Sequence, residues 1–117
     1  MRANARFALV FALLAVSFLG NQPAEAATGA DLRDWCSGYP NSDRPNTCRA
    51  YVGAVLDLFA KGYVFEGANA CVPEEEPMDG IVLTVMSWFD SNTDQESERL
   101  GVIVANALSK LYPCPAR

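Results

Sequence analysis

Residues 48–71 read CRAYVGAVLDLFAKGYVFEGANAC, an apolar stretch with a cysteine at each end. Tyr51, Val55, Leu58 and Phe59 recur at the three- and four-residue spacing of one helical stripe, with Val52, Leu56 and Tyr63 beside it. About four turns fit before Gly62 and Gly67 loosen the segment. The stretch predicts the central helix of a small helical domain. Gly53, inside it, costs about 1 kcal/mol relative to alanine. It is either a tolerated imperfection or a place where a neighbouring helix approaches closely. Asp57 either faces solvent or, if buried, needs backbone or tyrosine donors, because an unpaired buried carboxylate is costly.

Working outward, Thr28 can cap a short first helix, GADLRDWC, with Asp31 as a capping-box-like acid three positions on. Leu32, Trp35 and Cys36 share one side of it. A turn-rich link with Gly38, Pro40, Asn41 and Pro45 follows, and Asn46 or Thr47 can cap the central helix. Beyond Cys71-Val72-Pro73 a second link runs through Glu74, Glu75, Glu76 and Pro77, residues suited to the start of a third helix. Met78, Ile81, Val82, Val85, Met86 and Phe89 mark its buried face, with Trp88 nearby. A turn over 90–94 leads to a fourth helix, with Thr93 or Asp94 as cap and Glu96 in its first turn. Its stripe is Leu100, Ile103, Val104, Ala107, Leu108 and Leu111, and Pro113 stops it. Valine and isoleucine leave strands conceivable at 81–89 and 102–105, but recurrence and segment length favour helices. The fold class is therefore all-α, a small disulfide-stabilised bundle of about four helices.

The chain has 117 residues and a net charge of −5. Arg2 and Arg6 form a basic head, residues 7–20 an apolar run, and Ala24-Glu25-Ala26 a small-x-small site. This is the pattern of a secretory signal peptide over 1–26, cleaved after Ala26. The run is short for a membrane span, so membrane contact is expected only through this segment before cleavage. Residues 27–117 then form one exported domain with 13 acidic and 7 basic residues, net −6. Such a surface is poorly suited to nucleic acid and suited to a basic partner. All four cysteines, Cys36, Cys48, Cys71 and Cys114, lie in this part. An even count in a short exported chain favours two disulfides. Three pairings are open to four cysteines. Connectivity makes Cys36–Cys48 and Cys71–Cys114 the economical one, each bridge worth roughly 3 to 4 kcal/mol by loop closure.

The residues argue against catalysis. There is no histidine, hence no usual general base or metal ligand, and the cysteine spacings contain no CxxC. Ser109 and Lys110 are helix neighbours that do not face each other. Asp90 and Asp94 lack calcium-loop spacing. Glu74, Glu75 and Glu76 form either a solvated run or an attraction for a cation or basic surface. No cofactor or metal is expected; the chain reads as a protein that works by its surface.

Together these residues resemble the Rap1a/Tai family of immunity proteins. The likeness runs through the signal peptide, Leu32 to Cys36, and Cys48, Tyr51, Gly53 and Asp57 as C-x-x-Y-x-G-x-x-x-D. It continues with Cys71-Val72-Pro73, the apolar third helix, and Ala107-Leu108 leading to Tyr112-Pro113-Cys114. The resemblance implies a small helical periplasmic protein, a homodimer, that binds and occludes a peptidoglycan amidase effector delivered by type VI secretion. The four cysteines carry over as the disulfide frame, and Tyr51, Gly53 and Asp57 as structural positions. An exposed loop would be the plug, either 74–77 or 90–94. Asn92-Thr93 departs from the family, which often has a proline-containing segment there. The alternatives are an HdeA-like periplasmic acid-stress chaperone, against which four cysteines count, and a general envelope protein-interaction domain.

Overall fold

The computed structural model describes residues 25–116, so the expected signal segment lies almost wholly outside the described residues. Four helices follow one another: α1 Gly29–Cys36, α2 Pro45–Ala60, α3 Met78–Asp90 and α4 Leu100–Leu111, with a 3₁₀ turn at Thr93–Gln95. Among the described residues there is no sheet, only two isolated bridges, Thr28 with Arg99 and Phe65 with Ala68. None of the described helices is long and apolar enough to cross a membrane. The fold is all-α.

The most enclosed helix is α4, not α2. Seven of the twelve α4 residues are buried, against four of sixteen in α2. LGVIVANALSKL is apolar on nearly every side, and such a helix is stable only when covered. It packs against α1, α2 and α3. Around it lie Leu32 of α1, Val52 of α2, and Ile81, Val82, Val85 and Phe89 of α3, each at most 2% exposed. Every buried side chain among the described residues is apolar, a cysteine or Tyr39. On α2 the buried stripe is Cys48, Val52, Val55 and Phe59. Leu58 and Tyr63, expected with that stripe, are exposed. Leu58 sits at the margin of the apolar arc, and Gly62, with φ at 81°, ends the helix before Tyr63.

Two helix starts also depart from the sequence reading. Proline opens α2 one residue before Asn46, its missing N–H costing nothing in the first turn. The third helix starts as the sequence reading has it, with Glu74, Glu75 and Glu76 before the helix, Pro77 at the N-cap and Asp79 as the acid in its first turn. The fourth helix begins at Leu100, not beside Thr93 or Asp94. Residues 96–100 instead make backbone hydrogen bonds with the start of α1. Gly29 and Ala30 donate to the carbonyls of Glu98 and Glu96, both at 3.1 Å, and Leu100 donates to Ala27 at 2.9 Å. These bonds satisfy amides that each helix leaves unpaired at its N-terminus. Asp31 completes the α1 start by accepting from the Thr28 amide at 2.8 Å.

Two disulfides bracket the bundle. Cys36–Cys48 joins the end of α1 to the first turns of α2, and Cys71–Cys114 joins the link after α2 to the tail after α4. The Cys71 amide also donates to the Tyr112 carbonyl at 2.9 Å. Close to the first bridge, where the Tyr39 amide donates to the Cys36 carbonyl, the Tyr39 hydroxyl donates to the Asp79 carboxylate, which also accepts from Arg49 at 3.1 Å. One carboxylate thereby ties the first link, α2 and α3 together.

Two glycines separate close approach from tolerance. A Cβ on Gly29 would stand 2.8 Å from the Glu96 backbone, whereas one on Gly53 would meet only the Met78 methyl at 3.5 Å. Gly29→Ala should therefore destabilise the protein by about 1–3 kcal/mol. Gly53→Ala should stabilise it by about 0.5–1 kcal/mol. Urea unfolding of both variants checks the pair.

The hydrogen bond to Asp79, then burial, raises the Tyr39 pKa above the ordinary phenol value of 10.0. Its stabilising contribution is complete below the unfolded phenol's pKa of about 10 and is lost as pH rises through the higher native value. The urea midpoint of Tyr39→Phe should fall below wild type at about pH 8, with the gap closing at strongly alkaline pH. An equal gap at both pH values would contradict the linkage.

Candidate interaction surface

Tyr51, Gly53 and Asp57, the α2 positions singled out by the family resemblance, lie on different faces of the helix. Tyr51 is half-buried, its ring centroid 5.9 Å from that of Trp35. Gly53 and Asp57 lie toward the outside, beside Met78 in a shallow depression that also includes Arg49 and Ala54. Asp57 is exposed, the solvent-facing alternative of the sequence reading.

The two acidic loops differ in how far the fold uses them. Asp90 ends α3 and pairs with Arg33 at 2.9 Å, and Arg33 also reaches Glu96 at 3.4 Å. The guanidinium lies 4.7 Å from the centroid of the Phe89 ring. This corner is bound into the fold through α1. Asp94 is exposed in the 3₁₀ turn and accepts from the Gln95 side chain at 3.3 Å. In contrast, Glu74, Glu75 and Glu76 are exposed, and among the described residues their carboxylates form no ion pair. Their backbone is nonetheless ordered into a turn closed by the Glu76 amide on the Pro73 carbonyl at 3.1 Å.

Beside that turn lies a cleft of about 360 Å³ with Leu56, Phe59 and Ala60 of α2 on one wall and Val72, Pro73 and Glu74 on the other. The structure thus brings Glu74 to an apolar recess, while Asp90 and Asp94 belong to a separate corner.

An apolar cluster was not expected as surface. Leu58, Tyr63 and Val64 are three of the four large apolar side chains exposed among the described residues. The link that carries the last two is pinned beyond them. Phe65 and Ala68 exchange two backbone hydrogen bonds at 2.9 Å around Glu66 and Gly67, both with positive φ. That is the geometry of a tight primed turn, which Gly67 favours but Glu66 does not announce, since asparagine, aspartate or glycine is the usual residue before the glycine. Arg99 pairs with Glu66 at 3.0 Å, and the Phe65 ring closes on Gly101. Tyr63 and Val64 are left between the helix end and this anchored turn.

Among the described residues no group of three or more histidine, cysteine, aspartate or glutamate side chains can hold a metal ion. All four cysteines are bridged. The arrangement offers contact surfaces, acidic at one flank of α2 and apolar at the other.

A family model described as Rap1a immunity proteins matches residues 28–114, and the chain belongs to that family. No curated protein and no solved structure matches it.

The two disulfides differ in access. Cys36 and Cys48 are at most 2% exposed, whereas Cys71 is exposed and Cys114 half-buried. Thiol attack requires access to a sulfur. Limited reduction followed by alkylation and mass spectrometry should label Cys71 and Cys114 well before Cys36 and Cys48. Equal labelling rates would contradict this order.

Proposed function

We propose that this protein is a periplasmic, non-catalytic immunity protein, exported by a cleaved signal peptide. It binds a peptidoglycan amidase effector delivered by type VI secretion and occludes the effector's active site, acting as a homodimer. The family match over residues 28–114 carries this reading. The exposed Leu58, Tyr63 and Val64 support a role in protein binding, because clustered apolar surface marks interaction sites. Residues 74–77 are the better of the two candidate loops for effector contact, since Asp90 is already engaged by Arg33.

The test is capture and inhibition. The full chain is expressed for export, purified, and used to capture partners from envelope and secreted extracts, including the product of any neighbouring amidase gene. Captured amidase is then assayed on peptidoglycan. The expected result is binding of a peptidoglycan amidase and stoichiometric loss of its activity. Absence of any bound amidase, or binding without inhibition, would sink the reading.

A further inference from the structure

We propose that the cleft between the end of α2 and residues 70–76 docks a protein segment in which an aliphatic or aromatic side chain is flanked by lysine or arginine. This deepens the immunity reading, and the identity of the partner as an effector rests on that reading. The chemistry of the cleft selects the occupant. Its walls, Leu56, Phe59, Ala60, Val72 and Pro73, are apolar, and about 360 Å³ accommodates one or two side chains. Burying one large apolar side chain there removes it from water and supplies the main attraction.

The rim supplies the sign. Glu74 lines the cleft, and Glu75 and Glu76 continue the same exposed turn. Asp57, although next to Leu56 in sequence, lines the separate depression with Arg49 and Met78 and is not part of this rim. Against these three carboxylates, Lys61 is the cation at the end of α2, and no ion pair joins it to them among the described residues. The local field is therefore negative. Each exposed pair is weak by itself, so the three acids act together, on choice of partner and on whether a short peptide is held. A segment flanked by acids is repelled from the same rim.

The acids are also held in place before a partner arrives. Cys71 is fixed to Cys114 and by its amide to Tyr112, and the Glu76 amide closes the turn on Pro73. Pro73 and Pro77 restrict the backbone on either side. A preorganised turn loses little conformational entropy on binding. The corner at Asp90 lacks this combination, because Arg33 already neutralises it.

The experiment uses the exported, purified protein, uniformly ¹⁵N-labelled, with two synthetic hexapeptides as probes. One carries Leu and Phe flanked by Arg and Lys; the control carries the same apolar pair flanked by Glu. The basic peptide should shift the amides of Leu56, Ala60, Val72 and Glu74, and the control should not. Raising salt from about 50 mM to about 300 mM should weaken the basic peptide at least about threefold. The variant Glu74→Gln/Glu75→Gln/Glu76→Gln should keep the wild-type unfolding midpoint and lose most of the shifts. Ala60→Arg, at an exposed helix position, provides a second variant that blocks the recess. Shifts centred elsewhere, equal response to the control peptide, or unchanged binding in a folded variant would overturn the proposal. These outcomes are independent of amidase capture, so failure here and failure of the immunity reading are distinguishable.

Discussion

A helix that is apolar on nearly every side cannot stand at a surface, and α4 imposes that constraint on the whole molecule. Leu100, Ile103, Val104, Ala107 and Leu108 are all fully enclosed. Covering them requires three partners, and α1, α2 and α3 each present one apolar face while keeping charge outside. The arrangement also explains why the buried set among the described residues contains no charged side chain. A carboxylate or ammonium inside so small a core would need a partner that four short helices have no room to supply.

The backbone seam between residues 27–30 and 96–100 solves a second problem at the same place. The starts of α1 and α4 both leave amide donors unpaired, and each segment supplies carbonyls to the other. The two backbones meet at a distance that only glycine at position 29 permits. The disulfides then restrain the chain away from this seam, one at the junction of α1 and α2, the other at the exits of α2 and α4. Helix packing, seam and bridges thus act on different segments, leaving residues 61–64 and 74–77 free to serve as surface.

That division matters for a member of an immunity-protein family. The side chains suited to recognition do not hold the bundle together: Tyr63 and Val64 hang between a helix end and an anchored turn, and Glu74, Glu75 and Glu76 are unpaired among the described residues. Substitution there leaves the buried core untouched. Asp90 shows the opposite case, an acid whose charge is spent on Arg33 within the fold.

Much of the architecture was legible in the residues themselves. Three- and four-residue recurrence marks each helix, because burial of one face needs that spacing, and Thr28 with Asp31 announces the first helix start through local hydrogen bonding. The stop at Pro113 follows from the missing amide, and the Rap1a likeness from cysteine spacing and short motifs. What the chain could not disclose was relative position. Whether α2 or α4 sits innermost depends on which apolar faces meet, a property of packing and not of either segment. The start of α4 moved to Leu100 because residues 96–99 pair with a segment about 70 positions away, which no local propensity encodes. Asp90 and Glu74 look alike in sequence, as exposed acids near helix ends; only the tertiary structure gives one an arginine and the other an apolar cleft.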